Sequence, residues 1–539
     1  MGEPDRRTLL KYSGVAAAGA LGSLAGCIGD DDTDDTDDDD DDDSTPTPED
    51  EGEGLREFDE ELPDDPSREE LLQYANGLSN HLAPWVFLHQ QFSIYAANDD
   101  LDWDAREDED INVTEISTDR DEITITQGTF ATTLDPNGHN DTPTYNFLDQ
   151  AYDPVLYRDD EGRVIGHIAT DFERLDENTI ELEVRDGVTF HSGNEMEASD
   201  VAFSINRTND LDVSEQAGVV GAIDEAYEED GDVVVELEAI EPAIFRNLAA
   251  FGRVMEEEWV EERDAGEIAE DINGTGAYQL DDFSDDTHVI YQRFDDYWGD
   301  EPDVETVTMN AASESSTRVD RLLGEESDLI VNVDPVDIPE IQDADGVRIE
   351  DTPSIRSIFL VMNDVHEPFD SLEFRQAMNF AVDVDAIIDS QLAGFGEPSS
   401  QPTLPGHFGH NDGVGTYGYD PDRAEELVEE SGYAGEEIVV HTTSGRYLAD
   451  IDIADAAASQ INDLENVEAE PNFRDTQELF DETLDGDQET SPAIFLIGWG
   501  NPTFDANYTM QPWFDDPVFQ HFTDDELIDV LQQANETAE

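Results

Sequence analysis

Lysine occurs once, at Lys11, and cysteine once, at Cys27. A lone cysteine excludes an intrachain disulfide, so the fold rests on packing and polar contacts. Cations as a class are scarce: 24 Lys and Arg stand against 138 Asp and Glu, a formal net charge of −114 over 539 residues. A chain without basic stripes offers nothing to a phosphate backbone, which excludes a nucleic-acid ligand. Catalytic signatures are missing too. There is no G-x-S-x-G, no P-loop and no H-E-x-x-H, and the sequence reads as a non-enzyme without a cofactor. Carboxylates are too abundant for their pairing to indicate acid–base chemistry. The acidic run after Gly29 lacks the D-x-D-x-D-G spacing with Glu at the twelfth position, so it is no calcium loop.

What is present begins with apolar material. The chain is 37% hydrophobic and 9% aromatic, enough for the cores of two or three domains. So acidic a surface suits concentrated salt, because the Debye length shrinks from about 10 Å at 0.1 M to about 3 Å at 1 M; a specific cationic partner is the alternative reading. At the amino terminus, Arg6 and Arg7 precede a weakly apolar run from Gly14 to Ala25, then L-A-G-C ending at Cys27. The run is too short and too rich in Gly and Ala to span a bilayer. Residues 1–26 resemble a twin-arginine export signal followed by a lipobox, with Cys27 the lipidated residue; an incidental cysteine in a frayed terminus is the alternative. Residues 27–62 are mostly acidic and aperiodic, and are expected to form a disordered tether.

Further on, short β-branched runs alternate with amphipathic segments. "EITITQGT" and "VVVELE" alternate as strands, and "TIELEVRDGVTF" reads as a hairpin turned at Asp186-Gly187. Helices are expected after Ser199-Asp200, as one long element from Ser371 through Leu392, and from Asp420-Pro421 to Gly432. The mixture indicates α/β lobes.

Several segments in order carry a family resemblance: "TTLDP" (132–136), "YDPVLYRDDEGRVIGHIATDFE" (152–173), "VRDGVTFHSGNEMEASDVAFSINR" (184–207), "NGTGAYQLDDF" (273–283), "QRFDDYWGDEP" (292–302) and "PFDSLEFRQAMNFAVD" (368–383). Together they resemble the dipeptide and oligopeptide receptors of ABC importers, family 5 of the extracytoplasmic solute-binding proteins, here in an extreme halophile. The resemblance implies an α/β fold of the periplasmic-binding-protein type II class, a large three-lobed clamp that closes on a ligand by hinge motion. It implies lobe I at 123–160 and 266–310, an inserted small lobe at 161–265, lobe II at 311–490, and a crossover back to lobe I with a terminal helix at 491–539. It implies a monomeric receptor for a peptide or other small solute, lipid-anchored on the outer membrane face and served by separate permease and ATPase chains. A receptor for a nickel complex or an oligosaccharide, or a cell-envelope protein outside transport, is the alternative.

Relatives usually close with two helices and an apolar strand. Here that pattern stands at the front, where "PSREELLQYANGLSNHLAPWVFLHQQFSIYAANDDLDW" opens with a capping box at Ser67 and Glu70. A circular permutation is therefore expected, with 64–103 completing lobe I and 104–122 a linker; an added helical hairpin or partner-docking segment is the other reading. At the carboxyl end a helix is expected to open with a box at Thr523 and Glu526. The resemblance points to Trp499, between Gly498 and Gly500, as a ligand contact or core residue, and to Asp505 as the substitute for an acid that meets a peptide's ammonium group. Arg356, on the strand leading to Asn363, is a carboxylate receptor or an internal salt bridge; Tyr508 and the loop at Thr133 are weaker candidates. His407 and His410 lie close in sequence but in a Gly-rich stretch, and no metal site is assigned.

Overall fold

A computed structural model describes residues 55–537, apart from 57, 59, 140, 160–161, 218–219, 286, 444–445, 484–485 and 517–518. Arg6, Arg7 and Cys27, with the export and lipidation readings, lie outside the described residues. The first regular element is helix α1 (Arg68–Leu82), opened by the expected capping box: Ser67 Oγ accepts from the Glu70 amide at 3.3 Å and Glu70 Oε2 accepts from the Ser67 amide at 2.8 Å. Leu71, Leu72, Ala75 and Leu78 form its buried face. Ala83, in the left-handed region at φ 48°, ends the helix and turns the chain into strand β1 (Trp85–Asn98).

β1 explains the apolar stretch. It is flanked by the long antiparallel strand Val347–Met362 on one side and by Leu329–Ile330 and Gly396–Pro398 on the other, and every position except Gln91 and Phe92 is buried. A strand enclosed on both faces needs apolar side chains almost throughout. Trp85 stacks on Phe359 with ring centroids 3.7 Å apart and meets Trp513 edge-on.

β1 and Val347–Met362 lie at the middle of an eleven-stranded sheet that serves two cores. Trp85 to Leu88 pack in one core, here called the second, while Tyr95 and Ala97 pack in the first. Between those halves the pairing with Val347–Met362 loses register twice, between Phe87 and His89 and between Gln90 and Phe92. Bulges of this kind bend and twist a ladder, and these fall at the waist of the molecule. The first core is built around β2 (Glu122–Gln127), parallel to Thr306–Ala311 and Leu329–Ile330. A third core, from Val155 to Val254, surrounds a separate four-stranded antiparallel sheet. β1 does not pair with β2 directly; Leu329–Ile330 lies between them.

The lobes divide differently from the expected boundaries. α1 and the first half of β1 belong to the second core, so 64–103 does not simply complete lobe I. The segment 311–349 stays with the first core's sheet and its satellite cluster, and the chain joins the second core only near Ile358. The strand Ile494–Gly500 and the helices Ala506–Asp515 and Asp525–Asn535 remain in the second core instead of crossing back. The end of the expected tether is folded: Arg56 lies 4.7 Å over the Tyr417 ring, and Phe58 packs edge-on against Tyr74. The expected linker 104–122 is built in as well. Ile111, Val113 and Ile116 enter the first core, and the Ile111 and Val113 amides donate to Asn146 Oδ1 and Gln150 Oε1.

Three local expectations also change. The strand Thr179–Val184 pairs with Ala169–Asp176 and Asp232–Leu237, not across the Asp186-Gly187 turn. The long helix after Ser371 breaks at Val382, because Asp383 caps a new helix by accepting from the Ala386 amide. Asp524, not Thr523, caps the last helix. The helix Pro421–Ser431 ends as expected on Gly432, at φ 85°.

Candidate functional site

A cavity of about 390 Å³ lies where the three cores meet, within the roughly 300–1,000 Å³ usual for small-ligand sites. One wall comes from the second core. Arg356, on Val347–Met362, pairs in register with Gly500, and a Cβ at Gly500 would lie 3.2 Å from the Arg356 Nη2. At Gly498 a Cβ would come within 2.7 Å of Tyr447, whose hydroxyl donates to the Gly498 carbonyl at 3.2 Å. The glycines flanking Trp499 thus make room for the protein's own Tyr447 and Arg356. Trp499 lies among Tyr508, Trp513 and Phe519 while facing the cavity, so it is both core and wall. Arg446 is placed by Asp450, whose Oδ2 accepts from the Arg446 amide at 2.8 Å and from the Thr443 hydroxyl.

The facing wall holds the segment 105–115 and residues of the small lobe. Two arginines there are neutralised at charge-assisted distances: Arg106 donates to Asp108 at 2.6 and 3.0 Å, and Arg253 to Asp149 at 2.7 and 2.9 Å. Asp153 accepts from His167, Trp298 and Thr275, and these bonds hold its carboxyl below the usual range despite burial. Asp110 is left over. Its Oδ1 is buried without a hydrogen-bond partner, and burial, with Asp149 and Asp108 beside it, pushes its pKa up to about 8. Of opposite sign, Arg158 and Arg446 each keep a buried Nε and Nη2 with no hydrogen-bond partner. Burial lowers the pKa of both, Arg158 to about 10, and both stay charged near neutrality.

Of the sequence candidates, Trp499, Arg356 and Tyr508 meet at this cavity. Asp505 does not serve it: its side chain is fully buried, with Oδ1 and Oδ2 each accepting from Arg68 at 2.7 Å and the Arg246 Nε 3.5 Å from Oδ2 as a further ion pair. It also caps the helix Ala506–Asp515 through the Asn507 amide. Asn363 lies at the far end of its strand, donating to the Gln488 carbonyl, and Thr133 accepts from the Asp135 amide away from the cavity. His407 is buried against Phe504, where desolvation lowers its pKa to about 3, and His410 contacts the Thr403 carbonyl. No group of three His, Cys, Asp or Glu is placed to hold a metal among the described residues. Arg446, Arg158, Arg253 and Asp110 escaped the sequence reading. For the arginines the available clue was rarity: with 24 cations in the chain, any one among Gly, Tyr and Phe merits attention.

The family model for bacterial extracellular solute-binding proteins, family 5 (middle), matches residues 163–520. The chain is 28% identical over 329 residues to the dipeptide-binding protein of Escherichia coli K12, an alignment covering 56% of this chain and 60% of that protein. It is 24% identical over 396 residues to the glutathione-binding protein GsiB of Pectobacterium atrosepticum, covering 72% and 76%. Among solved structures, the Helicobacter pylori ABC transporter-associated binding protein DppA, in complex with the peptide STSA, superposes with a TM-score of 0.62 at 20% identity over 78% of this chain and 87% of that one. The Staphylococcus aureus NikA complex with Ni(L-His)2 gives 0.61 at 18%, over 78% and 88%. No helix among the described residues is long and apolar enough to cross a membrane. Three cores around one cavity, a sheet shared through two crossing strands and the match over 163–520 agree: the chain belongs to family 5 of the bacterial extracellular solute-binding proteins of ABC transporters.

Proposed function

We propose that the chain is the peptide receptor of an ABC importer, enclosing a short peptide between its main lobes and delivering it to a separate permease. The observation that carries this reading is a set of unsatisfied buried groups in one cavity, the Asp110 carboxyl with its unpartnered Oδ1 and the guanidinium groups of Arg446 and Arg158. A buried polar or charged group without a partner is costly; a zwitterion's ammonium group favours ionisation of the Asp110 carboxyl while its carboxylate meets the arginines. Trp499, Tyr447 and Tyr508 supply apolar faces for side chains between the charged ends. The bulges where β1 and Val347–Met362 cross between lobes supply the hinge.

The decisive experiment is thermal unfolding in molar salt against di- to hexapeptides, oligosaccharides and nickel–histidine. A ligand at a hundred times its Kd stabilises by about 2.7 kcal/mol. A response to peptides supports the reading; a response confined to sugars or nickel–histidine, or none, overturns it. Anchoring through Cys27 is part of the proposal, and Cys27→Ser is expected to release the protein from the cells.

We also infer that α1 and β1 are the family's closing helix and strand transposed to the front. Supporting this, α1 packs beside Asp525–Asn535, with Tyr74 donating to Glu526 at 2.6 Å. A rearranged chain carrying 64–103 after residue 537 is expected to fold and bind like the original; failure to fold refutes the transposition.

A further inference from the structure

Resting on the receptor reading, the charge balance around Arg356 suggests more than a lining residue. Arg356 and Arg446 line the same cavity, and the charge of Arg356 helps to lower the Arg446 pKa. Tyr447 and Phe480 flank Arg446, which is only 7% exposed. Two guanidinium groups in one cavity, Arg446 buried and Arg356 14% exposed, favour a counter-anion. Asp450 contributes to the field at Arg446, but its Oδ2 already accepts from the Thr443 hydroxyl and the Arg446 and Tyr447 amides. The carboxylate that reaches Arg356 is Glu109, from the opposite wall, with Oε2 at 3.7 Å from Nη2. That gap exceeds the roughly 2.7–2.9 Å of a charge-assisted hydrogen bond. The contrast with Arg106 and Arg253, each gripped by an aspartate at normal distances, is internal to the same cavity.

Glu109 reaches this place at a conformational cost. Its φ of 65° puts a non-glycine residue in the left-handed region, and such outliers collect at ligand clamps. Its loop is fastened beside Arg356 by the Ile355 amide, which donates to the Glu107 carbonyl at 3.2 Å.

We propose that Arg356 and Arg446 form a two-arginine seat for a ligand carboxylate, and that Glu109 is the resident counter-ion the ligand displaces. A solute carboxylate, free to approach in two parallel hydrogen bonds, satisfies the seat better than a carboxylate held at 3.7 Å. Glu109 thereby sets how strongly an anion must bind before it is retained, and selects against weak anions such as chloride.

The test needs no knowledge of the natural ligand. Unfolding of the full chain, of Glu109→Gln and of Glu109→Gln/Arg356→Gln is followed in potassium chloride and in potassium acetate at equal ionic strength. Acetate is expected to raise the Tm of Glu109→Gln by roughly 2–4 °C more than that of the other two, about a fivefold gain in the folded-to-unfolded ratio. Equal acetate responses in all three proteins overturn the proposal. Glu109→Asn, which tolerates the left-handed backbone, replaces Glu109→Gln if the latter does not fold. Failure of the receptor reading registers separately, as the absence of any peptide response in all three proteins.

Discussion

Asp505→Asn is expected to cost stability, and its binding effect to follow from that loss. Asp505 is fully buried and bonded twice at 2.7 Å to Arg68, itself 2% exposed, with Arg246 beside it. Asparagine retains one acceptor, so the cap bond to the Asn507 amide survives and the roughly 1 kcal/mol of an N-cap is kept. What is lost is the charge and the second acceptor, leaving Arg68 buried without its full counter-charge. Breaking a buried pair from one side costs about 3–5 kcal/mol. For a cooperative unit of 150–250 residues that is a fall of roughly 6–20 °C in Tm. Calorimetry in molar potassium chloride reads it directly, as a shift of the transition that includes the second core. Because the pair is dry, salt screens it little, and the decrement should be the same at 1 M and 4 M. The double change Arg68→Met/Asp505→Leu, which removes both charges, is expected to recover much of the loss. A Tm within about 3 °C of the parent, with peptide affinity lost, would refute the reasoning and restore Asp505 as a ligand group.

Other predictions concern the cavity walls and the sheet. Asp110 has a folded pKa raised to about 8 against an ordinary value of 3.8, so the folded state holds the proton more firmly and stability falls as pH rises between those values. Asp110→Asn should remove part of that fall, leaving the variant more stable than the parent at pH 8 and similar near pH 4; an unchanged Tm–pH slope counts against it. Gly500→Ala places a methyl 3.2 Å from the Arg356 Nη2 and should weaken peptides more than their C-terminal amides, measured by titration calorimetry, with a stability cost of about 1–3 kcal/mol. Trp85→Ala removes a ring stacked at 3.7 Å on Phe359 and should cost about 3–5 kcal/mol, seen in the denaturant midpoint.

How much of this was legible beforehand depends on the distance over which each residue finds its partner. The capping box at Ser67 and the stop at Gly432 are local chemistry, and both stand as read. β1 is legible as a strand because burial on both faces demands the apolar run. That its two halves serve different cores is not, since nothing in a run of apolar residues marks the point of crossing. The segment 104–122 looks like a linker because it is charged; Asp108 and Glu115 are met by Arg106 within the segment, and the Ile111 and Val113 amides by Asn146 and Gln150 outside it. The inward turn of Asp505 has no local signal, because Arg68, its partner, lies 437 positions away. The resemblance supplied the architecture and the candidates Trp499, Arg356 and Tyr508, which the structure puts at the cavity wall, while Arg446 lay in no motif.

The arginines have a consequence for kinetics. Arg68, Arg158, Arg207, Arg253, Arg318, Arg375 and Arg446 are all buried, so the surface that an approaching solute meets is even more one-sided than a net charge of −114 suggests. An anion must cross a repulsive shell before it reaches the buried arginines, whereas a cation is drawn inward from a distance. Association rates should therefore rise with ionic strength for anionic solutes, fall for cationic ones and stay nearly level for zwitterions, because salt shortens the reach of the outer field far more than that of the enclosed charges.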